Sequence, residues 1–191
     1  MVKKNNTVSH LQLIQGGLYC ETSWGPVRIV AGPEHSPPFP VEAAAAEEDT
    51  YLVLSAETTI SDPKKHIVRI MTQLIDTRPA LPGSVLIRSG SPLRFLAIVH
   101  DLDQEPTWRE AWIISALEEI FRKAEKHKLK SLGLPLLGTL HGSLGKKRFA
   151  ALLGNALARA AVNTLERLWI LAPAGTNREI IEALKNELHS Y

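Results

Sequence analysis

Gly138-Thr139-Leu140-His141-Gly142-Ser143-Leu144-Gly145 places three glycines in eight residues and runs straight into a helical pattern. Backbone N–H groups at a helix N-terminus lack partners and attract anions, and glycine lets main chain approach a phosphate closely. Lys146, Lys147 and Arg148 then fill the first turn, where the helix dipole disfavours positive charge. A bound anion would relieve that conflict. Side chains extending into water would leave a penalty of only about 0.3 kcal/mol. The candidate anion contacts are Gly138, Thr139, Leu140, His141, Gly142, Ser143 and Gly145.

A second group is His100-Asp101-Leu102-Asp103, which with His141 has the residue types of a metal or acid–base cluster. The alternative is structural, since an Asp after a strand commonly shapes a turn. No complete catalytic signature is present. No catalytic residue, metal ligand or cofactor is assigned, and Asp101 and Asp103 are kept as candidate ligand contacts. Trp108, at a helix start, could stack on a flat ring, whereas Trp24, Trp112 and Trp169 read as structural. Cys20 reads as a small buried hydrophobe, and His35 carries no assignment.

The elements that must position these residues follow from hydrophobic period. Trp112, Ile113, Ala116, Leu117, Ile120, Phe121 and Ala124 form one helical face, opened by a capping box at Thr107-Trp108-Arg109-Glu110. A second helix is expected over 146–163. A third is expected after a second box at Thr176-Asn177-Arg178-Glu179. Residues 132–137 and 168–172 are apolar runs typical of central strands. Residues 85–88 and 95–100 form an antiparallel pair about Gly90-Ser91-Pro92. Strands alternating with helices imply right-handed crossovers and a mixed, mostly parallel sheet in a three-layer α-β-α arrangement. The fold class is α/β. The loops after 95–100 and 132–137 then share one edge of the sheet, where ligands bind in open α/β folds.

The earlier part is less patterned. Some strand character occurs at 10–13 and at Leu18-Tyr19, and a strand is expected at 27–31. Pro33 to Pro40 reads as a loop. Residues 42–49, rich in alanine and glutamate, read as a short helix or a solvated connector. Tyr51-Leu52-Val53-Leu54 reads as a buried strand, and Ser61-Asp62-Pro63 as a helix start. The 191 residues suit one domain, with 1–50 as an irregular extension bearing short strands. A net charge of +2 without a basic stripe argues against a nucleic-acid partner. A single cysteine excludes an internal disulfide, and no apolar run of membrane-spanning length occurs. The basic N-terminus lacks an apolar run of signal-peptide length. A soluble, cytoplasmic protein without a membrane partner is expected.

Residues 84–173 resemble the macro domain. The pair of strands from Val85-Leu86-Ile87-Arg88 to Ala97-Ile98-Val99-His100 is similar to the family's strands ending in apolar-apolar-His. Lys130-Ser131-Leu132-Gly133-Leu134-Pro135-Leu136-Leu137-Gly138-Thr139 resembles its lysine-serine, apolar run, proline, Gly-Thr segment. Leu168-Trp169-Ile170-Leu171 resembles the strand that follows. The resemblance implies a macro-like fold and a nucleotide ligand of the ADP-ribose kind, held by the glycine loop. The family loop continues Gly-Thr-Gly-x-x-Gly, whereas Leu140 and Ser143 stand at its second and third glycines, and a leucine there would obstruct the backbone's approach to a diphosphate. The family's asparagine and glycine run after an early strand has no counterpart in Ser55-Ala56-Glu57-Thr58-Thr59. Two other readings stay open. One is a degenerate macro fold acting as a structural or homo-oligomerising module. The other is a hydrolase using Asp101, Asp103 or His141.

Overall fold

The computed structural model describes residues 17–54 and 79–188. The strand character at 10–13, the segment 55–59 and the helix expected from Ser61 lie outside them. Seven strands form one sheet in the order β1-β2-β7-β6-β3-β5-β4. They are β1 (Cys20–Trp24), β2 (Val27–Gly32), β3 (Ala43–Asp49), β4 (Val85–Arg88), β5 (Leu93–His100), β6 (Ser131–Pro135) and β7 (Arg167–Leu171). The described helices are α1 (Glu110–Lys126), α2 (Lys146–Arg159) and α3 (Asn177–Leu188). Strands β2, β7, β6, β3 and β5 run parallel, and β1 and β4 close the sheet as antiparallel edges. None of the described helices is long and apolar enough to cross a membrane.

Alternate strand residues build the main core against the helices. Ile29, Ala45, Phe95, Ala97, Leu132, Leu134, Leu168 and Ile170 share a cluster with Ile113, Leu117, Phe149, Leu153, Ile180 and Leu184. The intervening residues Val30 and Trp169 join Phe39 in a second cluster. Period two therefore decides which strand residue meets which cover.

Four expectations need correction. Residues 42–49 are neither helix nor connector, because 43–49 form β3 near the middle of the sheet, paired with β5 and β6. Alanine and glutamate favour helix locally, but the parallel ladder and the close packing of Ala43 and Ala45 override that preference. Residues 51–54 are a turn rather than a buried strand, with Val53 48% and Leu54 37% exposed. Asp49 takes the amides of Tyr51, Val53 and Leu54, and Glu48 takes that of Leu54, at 2.6–2.9 Å. Those buried carboxylates supply the partners a strand would have found in a neighbour.

The capping boxes are also absent. Helix α1 begins at Glu110 after Arg109, whose side chain makes no capping bond. Trp108 is held extended by a bridge to His100, which keeps residue 107 outside the helix. The Thr176 N–H, which a capping box would give to Glu179, donates to the Pro173 carbonyl at 3.1 Å, and the Thr176 hydroxyl donates to the same carbonyl at 2.7 Å. Helix α2 stops at Arg159 because Ala160 is extended (ψ 141°).

Candidate functional site

The loops following β5 and β6 lie on one edge of the sheet, as expected, because both strands run parallel to β3 between them. Strand β3 delivers Glu47 to that edge. One Glu47 oxygen, Oε2, lies 3.1 Å from His100 Nε2. The other, Oε1, accepts the Gly138 backbone N–H. The two side chains are 7% and 2% exposed, so this contact between β3, β5 and the β6–α2 loop is nearly dry. His141 meets His100 edge to face, with centroids 5.9 Å apart and planes at 88°.

The glycine loop folds back on itself. The Gly138 carbonyl accepts the Leu144 N–H at 3.1 Å, and Leu136 O accepts both the amide and the hydroxyl of Thr139, at 3.0 and 2.7 Å. Gly138 has φ +77°, and a Cβ on it would run into Ile113 of α1. A Cβ on Gly142 would strike the Gly138 carbonyl and lie 3.0 Å from Trp108 Cδ1. Both glycines are therefore required by the loop's own packing. Gly145, by contrast, faces open space and precedes α2 with no side-chain cap. The first amides of α2 are left for solvent or a ligand.

Beside this loop opens a cleft of about 950 Å³, within the size range of small-molecule sites. It lies at the carboxyl ends of four adjacent parallel strands. Strand β3 and the turn after it contribute Ala45, Ala46, Glu47 and Leu54, and β6 with its loop contributes Pro135, Leu136, Thr139, Leu140 and His141. Leu144, Gly145 and Lys146 border it at the start of α2, and Leu171 to Ala174 with Glu179 border it after β7. Pro33, Glu34 and His35, after β2, complete it.

Of the sequence-derived candidates, Thr139, Leu140, His141 and Gly145 line this cleft, whereas Gly138, Gly142, Ser143, Asp101 and Asp103 do not. Leu140 is 79% exposed, so its side chain stands at the rim and does not fill the space. Asp101 shapes its own turn, accepting the Asp103 N–H at 3.1 Å. Asp103 accepts the Tyr51 hydroxyl, and this bond raises the Tyr51 pKa. Trp108 packs on Gly142 and the core. Arg148 makes a bidentate pair with Glu110 at 2.8–2.9 Å, which offsets part of the basic charge in the first turn. The same pair lowers the Glu110 pKa. No cluster of three or more metal-ligating side chains occurs among the described residues.

The residue that sequence reasoning missed is Glu47. Its only local signal was a place near the end of an Ala-Ala-Ala-Ala-Glu-Glu-Asp run, and that run reads as helix or connector. His35 and Glu179 reach the cleft from loop and helix positions with no distinguishing motif.

No family model matches the sequence, and no curated protein does. Solved structures do. The Oceanobacillus iheyensis macrodomain with ADP superimposes with a TM-score of 0.65 at 14% identity, over 90% of this chain and 97% of that one. The macro domain of ganglioside induced differentiation associated protein 2 gives 0.59 at 10% identity, covering 84% and 83%. The Thermus aquaticus DarG macrodomain gives 0.54 at 18% identity, covering 77% and 98%. At these identities it is the architecture that is shared: the chain has a three-layer α/β fold similar to that of macrodomains.

Proposed function

We propose that the chain binds a phosphorylated nucleotide of the ADP-ribose kind in the cleft at the carboxyl ends of β2, β7, β6 and β3. The observation carrying this reading is the cleft itself, bordered by the uncapped start of α2 with Lys146 on its rim. Amides at the first turn of a helix and a lysine together favour a phosphate. The apolar wall from Leu136, Leu140, Leu144 and Leu171 suits a flat base or the carbon face of a sugar. A structure of similar fold was solved with ADP, and a variant of the same Oceanobacillus protein with ADPR. That correspondence supports the choice of ligand class.

One observation favours a ligand-free structural module instead. The Gly138 amide, a natural phosphate donor by its place in the loop, is already bonded to Glu47. Calorimetric titration with ADP-ribose, ADP and inorganic phosphate separates the two. Binding of ADP-ribose or ADP supports the nucleotide reading. If none of the three binds at millimolar concentration, that reading fails.

A further inference from the structure

The acidic groups bordering the cleft differ in their surroundings. Glu34 and Glu179 are exposed, whereas the Glu47 side chain is 7% exposed and held at both oxygens. A solvated carboxylate is screened by water and salt, but one withdrawn from water keeps most of its field. Glu47 therefore sets the local potential where the β6–α2 loop begins. It also occupies the one amide of that loop start, at Gly138, that a phosphate would otherwise take. A carboxylate has about four acceptor positions, and His100 and Gly138 account for two of them, so Glu47 retains capacity for donors from the cleft.

We propose that Glu47 fixes the orientation of the bound molecule: phosphate is excluded from the Gly138 end and directed to the amides at Gly145 and Lys146. The Glu47 end takes a hydrogen-bond donor, such as a ribose hydroxyl. This inference rests on the nucleotide reading of the cleft, but it makes a separate demand, since it concerns where charge is tolerated.

The test uses the full chain and its Glu47→Gln and Glu47→Asp variants, titrated with inorganic pyrophosphate and with ADP. Glu47→Gln removes the charge and keeps the shape, and affinity for pyrophosphate should rise at least about tenfold over wild type. Glu47→Asp keeps the charge in a shorter side chain and should show no such gain. An unchanged or weaker affinity in Glu47→Gln, or an equal gain in Glu47→Asp, overturns the proposal. If wild type binds neither compound and Glu47→Gln binds pyrophosphate, the carboxylate's role stands and the nucleotide reading falls. If neither protein binds either compound, both fail. A measurement on wild type guards against misfolding of the variants. With ADP added, the backbone amide resonances of Gly145 and Lys146 should shift while that of Gly138 stays in place. A Gly138 shift as large as theirs would show that phosphate displaces the carboxylate, and the proposal would be wrong.

Discussion

Consider the substitution Gly138→Ala at the start of the glycine loop. Gly138 has φ +77°, a left-handed conformation that costs an L-residue about 1–2 kcal/mol. Its new methyl would overlap Ile113 Cδ1 and lie 3.5 Å from Leu144 Cβ, both in the buried core. Ile113 is fully buried, so relief requires an unfavourable rotamer or a shift of the loop, adding about 1–3 kcal/mol. The sum centres at about 3.5 kcal/mol, or a fall in Tm of roughly 7–14 °C for a chain of this size. Urea and thermal unfolding of the variant measure it directly. Gly145→Ala serves as the comparison, because its Cβ meets nothing within 4 Å and its φ is −69°. That change should cost under about 1 kcal/mol. A loss below about 1 kcal/mol in Gly138→Ala, or one equal to that of Gly145→Ala, would refute the loop packing described above.

Other perturbations read other parts of the structure. Leu140→Ala removes a side chain that is 79% exposed, so unfolding free energy in urea should move by less than about 0.5 kcal/mol. Phe149→Ala empties a fully buried position on α2 and should cost about 3–5 kcal/mol, read from the urea midpoint. His100→Ala leaves the Glu47 carboxylate without its 3.1 Å partner, and a stability loss of about 2–4 kcal/mol is expected in the same assay. Arg148 lowers the Glu110 pKa, and Arg122 and then Lys123 lower that of Glu119, from the ordinary 4.5. Depressed carboxylates contribute stability above their unfolded pKa and lose it as pH falls through the folded value. Urea midpoints should therefore drop as pH is lowered below about 4.5. Glu110→Gln should reduce that drop slightly, since the pair is largely solvent-exposed. An unchanged acid limb would remove Glu110 from the account.

Much of the site's geography was legible from residue order. Leu132–Leu137 had to be buried on both faces, and the run of strand, loop and helix after it dictates a crossover of one hand. That alone places the loops after β5 and β6 on a common edge. The chemistry at the edge was less legible. Asp101 and Asp103 had the residue types of a metal or acid–base cluster, yet each is used by a turn or by Tyr51. The same local bonds that make Asp common after strands make it uninformative there. The glycines were read as room for a phosphate, whereas Gly138 and Gly142 are small because Ile113 and Trp108 pack against them.

Sequence by itself determined the elements whose signal is local and repeated. Apolar residues at helical spacing marked α1, α2 and α3, because a helix in contact with a core must present one face to it. Their exact starts were beyond it, since residues 107–108 are held extended by His100 rather than by a cap. Tertiary structure alone decided that the alanine and glutamate run becomes β3, because its stability comes from ladders to β5 and β6 that no window of neighbours contains. It likewise decided the meeting of Glu47 with His100, 53 residues away, and with Gly138, 91 residues away. Contacts at such separations leave no period or spacing in one chain, because they are chosen by the packing of the whole sheet.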